Sequence, residues 1–241
     1  MNTPPVKLVE RVVGTDDVEA YERSGYELVD QLRELLSRSG YELDQFRDIY
    51  DFGSGPGRLT RALRERLPEA RLTATDIDEE AIAWLAEHAP GIDVRLTSWL
   101  PPLPFEDGAF DLVIVISVFT HLPGDYQDAW LAELHRVTRP GAVMIATVHG
   151  EAHWRQTWDV GFAAAPRRVR ARSKLLALER RVRGFAHWRG DGWERIFPDY
   201  YHTSWHTPRY VRSHWSRWFE VVRHEEATVP GTHDFVVLKR A

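Results

Sequence analysis

The sequence predicts an α/β fold built on a parallel, doubly wound sheet, and three observations carry that prediction. Between residues 48 and 149, strand-length apolar runs alternate with amphipathic stretches of helical period. The fourth run, Leu112-Val113-Ile114-Val115-Ile116, is apolar at every position, as a central strand covered on both faces requires. The first run, Ile49-Tyr50-Asp51-Phe52, leads straight into Gly53-Ser54-Gly55-Pro56-Gly57 and a helix, the layout of a ligand-binding turn.

The elements follow in order. Asp16 to Leu36 sets Val18, Tyr21, Leu28, Leu32, Leu35 and Leu36 close to one stripe, which predicts a helix packed beside the first strand. Strands are expected at 48–52, 71–76, 92–97, 110–117 and 142–149, with helices at 57–67, 78–88 and 125–138. Pro140-Gly141 reads as the stop before the fifth strand, and Asp125 as a possible cap of the helix it opens. Residues 150–206 break the rhythm with a basic helix from about Pro166 to Arg183 and then an aromatic, turn-rich run. This segment holds Trp154, Trp158, Trp188, Trp193 and Trp205, five of the ten tryptophans. An insertion after strand five falls at the carboxyl edge of the sheet, where ligands of open α/β folds bind, so it is expected to be a substrate-selecting cap. Thr207 as N-cap and Pro208 at the first helical position open a helix to Arg217, followed by strands at 218–224 and 234–239. The expected organisation is one domain: a helical lid (1–47), a cofactor-binding core (48–149), the cap (150–206) and a closing helix with two strands (207–241).

Composition narrows the function. With no cysteine, the chain has neither disulfides nor a thiolate ligand or nucleophile, and no apolar run is long enough to span a bilayer. A cytoplasmic protein without a membrane anchor or secretory signal is expected. The net charge of −5 is uneven: residues 167–183 carry eight bases and one acid, leaving 23 bases and 35 acids elsewhere. That helix is either a solvated face or an attractor of anions such as nucleotide sugars or phosphopantetheine on an acidic carrier. Nucleic acid is the weakest option at a pI of about 6.1. No metal site is expected, since His202 and His206 have helical spacing but Pro208 and turn-forming neighbours argue against a helix there.

The glycine spacing selects the cofactor. Counted from Gly53 and Gly55, a dinucleotide loop would place its third glycine at Arg58; here it is Gly57, which disfavours a nicotinamide-dependent oxidoreductase. Asp76 closes the next strand, where a carboxylate can hold a ribose diol. Together these residues resemble the first two motifs of the class I S-adenosylmethionine-dependent methyltransferases. Thr97 to Val113 is similar to that family's loop and fourth strand, and Leu134 to Ala142 resembles its helix end and turn into strand five. The resemblance implies a Rossmann-like, mostly parallel, seven-stranded sheet with helices on both faces, the last strand running antiparallel between strands five and six. It also implies S-adenosyl-L-methionine as cofactor. Asp51, Gly53, Ser54, Gly55 and Gly57 would then line the methionine part, Asp76 the ribose, Ile77 the adenine face, and Ser98 with Trp99 the adenine edge. Ser98 stands where the family often has an aspartate. Ser117, Phe119 and His121 would border the sulfonium, and Ser24-Gly25 would approach the methionine carboxylate, unless Gly25 merely kinks its helix.

Methyl transfer from a sulfonium is an in-line displacement, for which a base is optional and alignment essential. His121, His149 and His233 are the candidate catalytic residues because they close strands four and five and open the last strand; a structural role is the alternative for each. Tyr200, Tyr201, Trp205 and His206 are the candidate acceptor contacts, since phenols, imidazole and indole seldom share a core without polar partners. The expected reaction is methylation of a small molecule on oxygen or nitrogen, with a non-catalytic methyltransferase-like binding protein as the alternative.

Overall fold

The computed structural model describes residues 3–158, 166–189, 201–227 and 233–241. These fall into two compact units, residues 1–114 with 136–143 and residues 115–135 with 144–241. Strand pairing gives one seven-stranded sheet in the order 92–96, 71–76, 48–52, 110–115, 138–148, 234–239 and 220–225, and a separate two-stranded sheet of 185–188 and 203–206.

The first unit is built around β1 (Asp48–Phe52), with β2 (Arg71–Asp76), β3 (Ile92–Leu96), most of β4 (Phe110–Val115) and the start of β5 (Thr138–Val148). Pairing is parallel, with Ile49 beside Leu72 and Leu112, and Thr73 beside Asp93. Every residue of β1 is buried, because the sheet is covered on both faces. The helices are α1 (Val6–Val13), α2 (Val18–Arg38), α3 (Arg58–Arg66) and α4 (Glu79–His88).

α2 runs unbroken through Gly25, capped by the Asp17 carboxylate, which accepts the Ala20 amide at 2.9 Å. A β-carbon on Gly25 would lie 2.3 Å from the Arg58 carbonyl oxygen, so this glycine permits close approach of α2 to α3 and does not kink the helix. Gly25→Ala is therefore expected to destabilise the fold by about 1–3 kcal/mol, as overpacking against backbone does, and a urea titration checks it.

β5 begins at Thr138, four residues before the expected start at Ala142, and runs through Pro140-Gly141. Arg139 explains the difference: its guanidinium donates to the carbonyls of Gly108 (3.1 Å) and Ala109 (2.7 Å), docking this stretch in extended form ahead of the proline.

The second unit contains most of α5 (Gly124–Val137), the end of β5, α6 (Glu151–Gln156), α7 (Arg167–Arg183), α8 (Pro208–His214), β6 (Phe185–Trp188), β7 (Thr203–His206), β8 (Glu220–Glu225) and β9 (Asp234–Lys239). β9 lies between β5 and β8 and is antiparallel to β8, as the resemblance implied. α5 starts at Gly124, so Asp125 sits within its first turn and is not the N-cap. Thr207 caps α8, accepting the Tyr210 amide at 3.2 Å, with Pro208 at the first position. β8 starts at Glu220 and not Trp218, because the amides of Trp218 and Phe219 turn back to the Trp215 carbonyl, both at 3.0 Å. Trp193, Tyr200, Gly231 and Thr232 lie outside the described residues. Among the described residues no helix is long and apolar enough to cross a membrane.

Candidate active site

A glycine cradle forms at the carboxyl end of β1. The amides of Gly53 and Ser54 donate to the Thr75 carbonyl at 2.8 and 3.0 Å, folding the loop over the end of β2. Gly57 has φ 84°, and a β-carbon there would meet the Leu85 side chain at 2.3 Å, so only glycine fits the turn into α3. Asp76 both closes β2 and shapes the loop: one oxygen accepts the Gly55 amide at 2.7 Å and the other the Asp78 amide at 2.9 Å. Burial pushes its carboxyl above the ordinary range, against these amides. Asp51 is buried and accepts a hydrogen bond from Thr60 at 2.5 Å. Burial raises it to about 6, opposed by Thr60 and Arg58 and reinforced by the charge of Asp76.

Two polar side chains, Arg58 and Tyr21, lie beside the cradle. Among the described residues the Arg58 guanidinium is held only by a 3.4 Å bond to the Ser24 hydroxyl, and no carboxylate forms an ion pair with it. Burial holds Arg58 below the usual arginine range. The buried Tyr21 hydroxyl has no hydrogen-bond partner among the described residues, and burial raises its pKa strongly. α1 borders the same loop: Val12 comes within 3.3 Å of where a Gly55 side chain would begin, and Arg11 bonds Asp78 and Glu80 at 2.8 and 2.9 Å. Ile77 is half-buried beside Asp76, whereas Ser98 and Trp99 stand exposed after β3.

The second unit gathers histidines. β7 stitches two loops together, its neighbourhood donating from His202 N to His121 O (2.9 Å), from Ser204 N to Thr120 O (2.7 Å) and from His206 N to His149 O (2.8 Å). His121 Nδ1 lies 2.7 Å from the His202 carbonyl, so it carries the proton and leaves the lone pair on Nε2. Tyr201 stacks on the His121 ring at 4.6 Å. His149 is fixed in the same tautomer by the Ser204 carbonyl at 3.2 Å, and its ring centroid is 6.0 Å from His121 and 4.9 Å from His233. His153 stacks on His149 at 3.6 Å, with its Nδ1 accepting the Trp205 indole N–H at 3.0 Å. Ser117, at φ 61°, is 3.3 Å from His233 Nδ1 and anchors its own amide on Thr147. Burial, then the neighbouring histidines, hold His149 well below its ordinary pKa, and burial takes His153 down to about 4. Among the described residues no group of three acidic or histidine side chains is arranged to hold a metal.

The structure thus brings His121, His149 and His233 together, and adds His153, four residues after His149. It places Trp205 and His206 elsewhere than expected of acceptor contacts. Trp205 is buried in a core cluster with Trp154, Leu176 and Ala186. His206 is fully buried and donates from Nε2 to Gln127 Oε1 at 2.9 Å, an orientation set by the Gln127 amide group donating to Phe119 and Leu122. Phe119 is likewise buried, its ring 5.0 Å from Trp215.

Burial takes the His206 pKa down from 6.5 to about 3, so it stays neutral in the fold while the unfolded chain takes up the proton first. Stability is complete above the unfolded value and falls as the pH drops from there toward the folded one. For His206 alone the expected loss at about pH 5 is about 2 kcal/mol, with His149 and His153 adding in the same direction. Urea unfolding at about pH 7 and about pH 5, with His206→Asn showing a smaller difference, checks this.

Residues 49–141 match the methyltransferase domain family. This stretch is a methyltransferase domain of the class I, S-adenosylmethionine-dependent kind. The chain is 35% identical over 116 residues to the malonyl-[acyl-carrier protein] O-methyltransferase of Hahella chejuensis, covering 46% of this chain and 38% of that one. It is 39% identical over 100 residues to the demethylmenaquinone methyltransferase of Thermus thermophilus, covering 40% and 44%. The chain therefore spans less than half the length of either relative. The PH0226 protein of Pyrococcus horikoshii shares the fold, with a TM-score of 0.57 at 18% identity over 89% of this chain and 90% of that one. S-adenosyl-L-methionine is the cofactor of such domains, and the cradle of this chain fits it: Arg58 and Tyr21 offer a half-buried cation and a buried hydroxyl to an amino-acid carboxylate, and Asp76 offers a carboxylate to a diol.

Proposed function

We propose that the protein transfers the methyl group of S-adenosylmethionine to a hydroxyl oxygen of a small or carrier-tethered acceptor, with His121 as general base. The observation that carries this reading is the 2.7 Å contact of His121 Nδ1 with the His202 carbonyl. It fixes the tautomer that offers Nε2 to an acceptor O–H. His149, locked in the same tautomer, also presents a lone pair. A carboxylate acceptor, which can only accept hydrogen bonds, would meet lone pairs there, so a hydroxyl is favoured. When bound, the cofactor supplies an electrophilic methyl on a cationic sulfur. His121 takes the hydroxyl proton as the new C–O bond forms and the C–S bond breaks, ending as imidazolium. Tyr201, stacked on His121, serves the acceptor face, and Tyr200 belongs to the same assignment although it lies outside the described residues. Ser24 acts through Arg58, Gly25 by admitting the Arg58 backbone, and Ser98 with Trp99 at the adenine edge. His233 with Ser117 positions the loop that carries His121. A cysteine-free chain of this kind suits the cytoplasm.

Arg58→Gln should weaken S-adenosylhomocysteine at least about tenfold, the effect of losing a charged hydrogen bond, and leave 5′-methylthioadenosine, which lacks the amino-acid group, unchanged. Calorimetry with both ligands measures this. The reaction itself is tested with methyl-labelled cofactor and a panel of phenols, alcohols, carboxylic acids and amines, the product identified by NMR. Methyl ethers are expected. Methyl esters or methylamines would overturn the hydroxyl assignment, and cofactor binding without turnover on any acceptor would favour a non-catalytic binding protein.

A further inference from the structure

α7 presents apolar residues on both its sides. Inward, Ser173 and Leu176 are buried, Leu176 in the cluster with Trp154, Ala186 and Trp205, while Arg180 lies over the Trp154 ring at 4.7 Å and bonds Glu151 at 2.6 Å. Outward, Leu175, Leu178 and Val182 are 69%, 57% and 72% exposed. Their spacing of three and then four residues aligns them in one stripe. On the helical repeat, Arg167, Arg170, Lys174 and Arg181 follow one flank of this stripe and Arg168, Arg172 and Arg183 the other, all exposed. The helix carries eight bases against Glu179, on a chain whose remainder has 23 bases and 35 acids.

We propose that α7 docks the protein on an anionic membrane surface, sinking the Leu175-Leu178-Val182 stripe into the headgroup boundary with its arginines on lipid phosphates. Charge complementarity selects this occupant. A second copy of α7 would set one strongly cationic helix against another. A single acidic protein helix would reach the cations nearest the stripe, but Arg170 and Arg172 sit toward the sides of α7, where a headgroup layer meets a helix lying in its plane. The stripe is narrow and the cations many, so the contact is peripheral and salt-sensitive and does not cross the bilayer.

The test is co-sedimentation with vesicles of phosphatidylcholine mixed with phosphatidylglycerol, and of phosphatidylcholine alone. The wild type should bind the anionic vesicles at least about tenfold more tightly, losing that advantage at high salt. The double variant Leu175→Ser/Leu178→Ser and the triple variant Arg167→Glu/Arg168→Glu/Lys174→Glu should each lose most of the binding while retaining helicity and S-adenosylhomocysteine affinity. No binding to anionic vesicles, or equal binding by wild type and both variants, would overturn the proposal. So would a dimer in sedimentation equilibrium that the serine variant dissociates, or binding of purified acyl carrier protein by a protein that ignores vesicles.

Discussion

His121→Ala is expected to lower turnover about 10²- to 10⁴-fold, the usual contribution of a general base, with cofactor affinity unchanged. The size of the effect follows from how the ring is held. The His202 carbonyl at 2.7 Å fixes the proton on Nδ1, and Tyr201 against the ring face fixes its plane, so the proposed base is held in one orientation. The variant should also flatten the acid limb of the pH–rate profile, which reports protonation of this base. A loss of thermal stability with near-normal turnover would instead make His121 a packing residue. His233 would then inherit the role, since burial leaves His149 too weakly basic to be a good substitute.

The second large effect is at the other end of the reaction. Asp76→Ala should weaken S-adenosylhomocysteine by about 1.5–3 kcal/mol, or about 10- to 150-fold, from loss of a charged hydrogen bond to the ribose. The variant also removes the acceptor of the Gly55 and Asp78 amides, so part of the loss arises from a loosened glycine loop. Asp76→Asn separates the two, because an amide oxygen can still accept one of these amides while the charge is gone. An unchanged dissociation constant in both variants would remove Asp76 from the cofactor site.

Much of the fold is legible in local sequence because its signals are local. The all-apolar run at Leu112 to Ile116, the Gly53-to-Gly57 spacing and the Thr207-Pro208 helix start each depend on a few neighbouring residues, and each recurs in the structure near its expected position. What was not legible depends on distant partners. β6 and β7 are four-residue strands whose amides pair with one another and with the loops at Thr120 and His149, so no periodicity announces them. α1 is only eight residues long and buries just Leu8 and Val9. Trp205 and His206 have the residue types of ligand contacts, yet the partners that bury them, Trp154 and Gln127, lie far off in sequence. Arg58 marked only the place where a dinucleotide loop would have a glycine; its half-buried position beside Ser24 depends on α2 packing against α3. His153 carried a readable signal, its four-residue spacing from His149 across the start of α6.

Whether the glycine cradle and Asp76 hold S-adenosylmethionine is decided by calorimetric titration with S-adenosylhomocysteine and with NAD. Saturable binding of S-adenosylhomocysteine that Asp76→Ala weakens is expected, with no response to NAD. Saturable binding of NAD with no response to S-adenosylhomocysteine would contradict it.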